Sequence, residues 1–166
     1  MDRYHISKPE NAHMPSIKLK IPPPVQGLIC LFFIWCLTTY LPIWEINIPF
    51  QTPIAIAMAV VGFSIDISGL IAFRKAQTTI NPLKPQNASS LVITGIYHIS
   101  RNPMYLGMLI ILLGAVLYFG NISGFLAVPI FVFTINELQI KPEEKTLTEL
   151  FGDPYRQYLA KVRRWI

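Results

Sequence analysis

Residues 103–140 read PMYLGMLIILLGAVLYF-GN-ISGFLAVPIFVFTINELQI, and the fold turns on how this stretch is read. It holds two apolar runs, 103–119 and 122–140, and its one charged side chain is Glu137. Gly120 and Asn121, between the runs, are turn residues and predict a tight reversal between antiparallel helices. A helix crosses the hydrocarbon core of a bilayer with roughly 20 apolar residues, so each run is slightly short. Two full spans are expected, and a single re-entrant hairpin is the alternative. Gly107 and Gly114 lie seven residues apart on one face of the third span. They permit either close helix packing through small residues or room for a ligand between the third and fourth helices.

Two more apolar runs lie upstream. Residues 25–44 carry no charge, and residues 52–73 are interrupted only by Asp66. The whole chain of 166 residues is 52% hydrophobic and 14% charged, where a soluble domain has about 25% charged residues. The expected fold class is therefore all-α integral membrane, with about four transmembrane helices.

The 14 lysines and arginines cluster in three segments. The N-terminal arm holds Arg3, Lys8, Lys18 and Lys20. The middle segment holds Arg74, Lys75, Lys84 and Arg101. The tail holds Lys141, Lys145, Arg156, Lys161, Arg163 and Arg164. The connections near Glu45 and Asn121 hold none. The positive-inside rule puts arm, middle and tail in the cytoplasm, so the number of spans is even and both termini are cytoplasmic. The net charge of +5 suits contact with anionic lipid. No nucleic-acid motif accompanies it. Cys30 and Cys36 fall on different faces of one helix, and His5 and His13 sit in the arm, so neither a disulfide nor a metal site is expected. The first 20 residues are polar, unlike a cleavable signal peptide, and the first span is expected to direct insertion.

The expected organisation is an arm over 1–24, two spans over 25–73 and a third region over 74–166. Pro22, Pro23 and Pro24 predict a stiff extended lead into the first helix, and Tyr40 and Trp44 an aromatic belt at its far end. The middle segment, 74–102, is long for a loop. Leu91, Val92, Ile93, Ile96, Tyr97 and Ile99 make it an ordered cap that packs on something. In the tail, Pro142 suits a first helical position with Glu143 and Glu144 in the first turn. Leu147, Leu150 and Phe151 share a face, and Gly152 ends that helix. Asp153 and Pro154 start another as N-cap and first residue. Both helices are amphipathic and should lie along the membrane surface.

Two dense constellations follow from this layout. One is Gly95-Ile96-Tyr97-His98-Ile99-Ser100-Arg101-Asn102-Pro103-Met104-Tyr105-Leu106-Gly107. Asn102 is a natural N-cap there, and the positive end of the third helix offers a place for an anionic group. The other is Glu143-Glu144 followed by Phe151-Gly152, Tyr155, Tyr158 and Arg163. Alone, the acids complement a helix dipole and the tyrosines anchor an interface. His98 reads as an exposed interfacial residue. Asp66 lies about 12 Å above the cytoplasmic end of its span at 1.5 Å per residue. It is either a protonated acid bonded to Ser64, Ser68 or a neighbouring helix, or an acid lining a substrate tunnel.

Taken together, an Arg-Asn-Pro-x-Tyr-x-Gly run opening one span and a Glu-Glu-x-x-Leu-x-x-x-Phe-Gly-x-x-Tyr-x-x-Tyr run after the next resemble one superfamily. It is the isoprenylcysteine carboxyl methyltransferase and phospholipid methyltransferase superfamily of membrane enzymes. The resemblance covers roughly residues 75–164 and includes Thr78-Thr79-Ile80-Asn81-Pro82 and Leu91-Val92-Ile93-Thr94-Gly95-Ile96-Tyr97. It implies S-adenosylmethionine bound at the cytoplasmic face and a lipophilic small-molecule or lipidated acceptor arriving from the bilayer. Carried over by motif, Leu91 and Val92 would contact the cofactor through backbone and apolar surface. Tyr97, Asn102, Pro103, Met104 and Tyr105 would line its pocket. Glu143, with Glu144 beside it, would bind its polar end or ribose. Arg101 and Tyr105 would act at the reacting centre, and Gln139 would face the acceptor; Asp66, outside the stretch of resemblance, would join it as the acid lining the tunnel. Prenylcysteine enzymes of the superfamily usually carry His where Asn102 stands and Arg where Gln139 stands. The acceptor is therefore open among a carboxylate, a lipid amine and a thiol. Sterol and steroid reductases that use NADPH share a related pattern of acids, tyrosines and a closing arginine, but are longer. A membrane reductase and a non-enzymatic small membrane protein are the competing readings.

Overall fold

The computed structural model describes residues 21–78 and 87–166. The arm 1–20, with His5 and His13, lies outside the described residues, as do Thr79 to Pro82 of the upstream motif, Lys84 and Pro85.

The described chain is helical. Helix α1 is Pro23–Tyr40, α2 is Gln51–Lys75 and α3 is Pro103–Phe119. Helix α4 is Ala127–Ile135, α5 is Lys141–Phe151 and α6 is Asp153–Lys161. Among the described residues, three helices are long and apolar enough to cross a membrane: α1, α2 and a continuous 30-residue helix over Ile122–Phe151. Helix α3 is also apolar but has 17 residues.

Of the three prolines before the first span only Pro22 is extended, with ψ of 138°. Pro23 and Pro24 are the first residues of α1, where the N–H that proline lacks would have had no partner. Helix α1 stops at Tyr40, short of Trp44, because Leu41 precedes Pro42 and is pushed out of helical backbone; its ψ is 54°. Trp44 instead lies in extended chain whose backbone pairs with the turn after α3. Ile122 N–H donates to Trp44 O at 2.9 Å and Ile46 N–H to Gly120 O at 2.7 Å. Gly120 ends α3 with φ of 68°, left-handed backbone that glycine adopts at little cost. The buried Asn121 side-chain oxygen accepts from the backbone N–H of both Ser123 and Ile43, each at 3.1 Å.

Helices α1, α3 and α4 share the main core, with Ile34, Val116, Phe131 and Ile135 fully buried. Helix α2 joins by lying close against α3. A Cβ added at Gly62 would come within 2.6 Å of Gly107 O, and one at Gly114 within 3.0 Å of Ala55 O. The glycines thus bring α3 against α2, and the space expected between the third and fourth helices is not at Gly107 and Gly114.

Pro142 does not start a separate helix. It lies inside the continuous Ile122–Phe151 helix, just after a π turn at Asn136–Ile140. Proline has no N–H for the carbonyl four residues back and its ring presses on that carbonyl. A widened turn at that place accommodates it. Thirty residues rise about 45 Å against a hydrocarbon core of about 30 Å, so the polar α5 continues beyond the apolar run. Gly152, with φ of 59° and ψ of −129°, makes the corner into α6. Asp153 is the first residue of α6 rather than its cap, and its carboxylate pairs with Arg156 at 3.1 Å in solvent. Phe151, Tyr155, Tyr158 and Val162 form a second core with Leu91 and Ile93. The middle segment therefore packs on the tail, through a 3₁₀ turn at Gly95–His98.

Candidate functional site

The site forms where the start of α3 meets α5, α6 and the residues after them. Asn102 does not cap α3. Its amide donates to Arg164 O at 3.0 Å, and its own N–H goes to Ser100 Oγ at 3.1 Å. Arg101 N–H donates to Arg163 O at 3.1 Å, and Ser100 Oγ lies 3.4 Å from Arg164 O. A fixed carbonyl beside the helix start has drawn the amide away from the capping role. Residues 163–164 are thereby strapped across residues 100–102, and Trp165 packs on the main core.

The strap brings Arg164 to Glu144. Arg164 Nε and Nη2 reach the two carboxylate oxygens at 3.0 and 2.6 Å. Arg101 Nη2 approaches the same carboxylate at 3.4 Å. Two-point arginine–carboxylate pairing fixes direction as well as charge. Arg101 Nε is buried without a partner. Glu143, the next residue, takes a hydrogen bond from Tyr105 Oη at 3.1 Å. Tyr158 Oη donates to Tyr97 O at 2.7 Å, tying α6 to the 3₁₀ turn. Burial pushes the phenols of Tyr97, Tyr155 and Tyr158 well above the ordinary tyrosine range, so they stay neutral.

These groups surround a cavity of about 320 Å³, within the size range of small-molecule sites. Leu91, Val92, Tyr97, Arg101, Asn102, Met104, Tyr105, Glu143 and Glu144 all line it. Pro103 is buried at the start of α3 but is not part of the wall. Gln139 does not face the cavity. It is fully buried in the π turn, and its amide donates to Ile21 O at 2.7 Å. Asp66 is also outside the wall. It lies against Gly107 between α2 and α3, where a Cβ at that glycine would strike its Oδ1, and that oxygen is buried without a partner. The neighbouring serines do not serve it. Ser64 and Ser68 donate to Val60 O and Ser64 O of their own helix.

The wall includes residues that the sequence did not single out for it: Pro23 and Pro24 of α1, Phe73 of α2, Met108 and Leu147, and Ala88 and Ser90 of the middle segment. Met108 and Leu147 are each one turn beyond an expected residue, Met104 and Glu143, which is a usable signal. Tyr155 and Tyr158, read as anchors, also line the cavity. Nothing local marks the prolines of α1. Lys141, near Gln139 in sequence, is engaged with the carboxylate of Glu137 at the surface.

Known proteins resemble this chain over parts of its length. An uncharacterised protein of Haemophilus influenzae is 51% identical over 63 residues, which are 38% of this chain and all of that protein. A protein-S-isoprenylcysteine O-methyltransferase of Schizosaccharomyces pombe is 36% identical over 78 residues, 46% of this chain and 33% of that enzyme. The match thus spans only a third of the fission-yeast enzyme. No solved structure matches significantly. The family model described as phospholipid methyltransferase matches residues 50–154, from the loop before α2 to the start of α6, and the chain belongs to the phospholipid methyltransferase family.

Proposed function

We propose that this protein is an S-adenosylmethionine-dependent membrane methyltransferase that acts on a lipophilic acceptor at the cytoplasmic membrane face. The observation that carries the reading is one cavity walled jointly by charged groups of the middle segment and the tail and by apolar groups of three membrane helices. Glu143, Glu144 and Arg101 share it with Pro23, Pro24, Phe73, Met104 and Met108. A water-soluble charged donor and a lipid-soluble acceptor need such a shared wall. The segregation of lysine and arginine supports four spans with both ends cytoplasmic and α3 and α4 as a helical hairpin.

The residues fit S-adenosylmethionine. The buried, unpartnered Arg101 Nε suits a carboxylate. The Glu143 carboxylate suits ammonium or ribose hydroxyl donors. The faces of Tyr97, Tyr105 and Tyr155 suit a cation, and Leu91, Val92 and Leu147 suit an apolar ring. The cofactor supplies a methyl group activated on a sulfonium. Tyr105 holds Glu143 in place through its hydroxyl, and Arg164 holds Glu144. The apolar wall excludes water. In-line displacement depends on alignment and exclusion of water more than on acid–base groups, and these residues provide both. Gln139 and Asp66 do not line the cavity, and their part is to fix the packing of the helices that wall it. The family and the fission-yeast relative leave the acceptor among a prenylcysteine-type carboxylate, a lipid amine and a thiol.

Titration of the purified protein in detergent with S-adenosylhomocysteine, and separately with NADPH, tests the reading. Heat stabilisation by S-adenosylhomocysteine alone is expected. Stabilisation by NADPH alone would establish a reductase, and stabilisation by neither a non-enzymatic protein. Glu143→Ala should abolish cofactor binding and leave the helical content intact. Incubation with methyl-labelled cofactor and membrane lipid extract then identifies the acceptor by where the label goes.

A further inference from the structure

A second concavity lies on the other side of the 3₁₀ turn. Tyr97 of that turn faces the first cavity, and its neighbour Ile96 faces a crevice of about 500 Å³. One wall is a stripe of α2, Ser68, Ile71, Ala72 and Lys75, spaced as one helix face. The opposite wall is Thr94 to Ile96 with Ile99. The crevice is amphipathic. Ile71 is 44% exposed and Ile99 61%, so the crevice presents open apolar surface. The α2 surface leading away from it is apolar too, with Ile67 and Phe63 more than half exposed. At the other end stands the Lys75 ammonium, on the last residue of α2. Among the described residues no acidic side chain lines the crevice, and Lys75 makes no ion pair.

We propose that this crevice seats one anionic glycerophospholipid of the adjoining leaflet. Its phosphate lies on Lys75 and the Thr94 hydroxyl, and an acyl chain runs over Ile71, Ile96 and Ile99 onto the apolar face of α2. Three features point to a lipid as the occupant. The cation stands where the apolar run of α2 ends, the depth of headgroups. The apolar floor continues onto a face that already meets acyl chains. The charge is of one sign, and a lysine near a membrane surface attracts anionic lipid. The site is independent of methyl transfer, so its failure would leave the function proposed above untouched.

The test is lipid retention by the delipidated full chain, followed by native mass spectrometry in mixed micelles. Phosphatidylglycerol and phosphatidylcholine are compared, with glycerol 3-phosphate as a soluble competitor. One phosphatidylglycerol should be retained about fivefold more tightly than phosphatidylcholine, the size of a single lysine contact. Lys75→Gln should abolish that preference. Arg74→Gln, whose side chain does not line the crevice, should keep it. Ile99→Asn should weaken retention of both lipids. Three results would each overturn the proposal: equal retention of the two lipids, equal loss in Lys75→Gln and Arg74→Gln, or full displacement by glycerol 3-phosphate. Circular dichroism of each variant separates lost binding from lost folding.

Discussion

The contact between α2 and α3 and the contact between the tail and the start of α3 are built by opposite means. The first has almost no polar bonding across it. Gly62, Gly107 and Gly114 let two backbones approach until added methyl groups would collide. In a bilayer, lipid tails are as apolar as leucine, so helices gain from close van der Waals contact rather than from burial. The second contact consists of directed bonds. Asn102, Ser100 and Arg101 hold the backbone of residues 163–164, and Arg164 holds Glu144. Beyond the hydrocarbon, polar groups have water as an alternative partner, and a network with fixed geometry selects one arrangement. The difference separates the tasks. The glycine contact sets where the helices stand, and the bonded contact sets where the charges of the cavity point.

That division predicts a ranking of substitutions. Gly107→Leu should do most damage, because its Cβ would meet Gly62 O within the range no side chain tolerates, at 2.6 Å. A loss of about 3 kcal/mol or more is expected for overpacking against backbone, seen as lost helical signal or a collapsed melting temperature in detergent. Glu144→Gln comes next. It leaves Arg164 and Arg101 without their shared carboxylate, and about 2 kcal/mol is expected for a partly exposed network, below the figure for a fully buried pair. Thermal melts should show it together with weaker S-adenosylhomocysteine binding. Arg164→Lys, which keeps charge but not two-point geometry, should restore only part of what Arg164→Ala loses. Tyr105→Phe removes one hydrogen bond to Glu143, worth about 1 kcal/mol, and should weaken S-adenosylhomocysteine roughly fivefold by calorimetry with the fold unchanged. Arg156→Ala should change the melting temperature least, since its pair with Asp153 is mostly exposed, at 67% and 81%, and surface pairs contribute little. A larger effect for Arg156→Ala than for Glu144→Gln would break the comparison.

Much of this layout is legible in the sequence, for physical reasons. The run 52–73 becomes α2 at Gln51–Lys75, because a span is a compositional signal that needs no partner to be recognised. The motif residues around Arg101 and Glu143 converge on one cavity, because motif order encodes contacts that spacing alone does not. Other readings turned on neighbours that the local pattern does not name, most of them distant in the chain. Asn102 has ideal capping chemistry, yet its amide goes to a carbonyl 62 residues away. Pro142 looks like a helix start, yet the π turn before it keeps one helix running. Asp66 and Gln139 look like substrate contacts, yet one lies against Gly107 and the other donates to Ile21 O. Local patterns report what a residue can do and not which distant group occupies it. The prolines of α1 in the wall carry no local mark at all.

The strap at residues 163–165 has a consequence in time. A chain is made from its N-terminus, so every helix that walls the cavity leaves the ribosome before Arg164 does. Until then Glu144 has no two-point partner, Asn102 has no carbonyl to hold, and α6 is not tied down at its far end. A nascent chain can thus insert its apolar helices while its charged groups are still unarranged. The cavity's charges take their final directions only once residues 163–164 have emerged, and a chain cut before them would reach the membrane without those bonds.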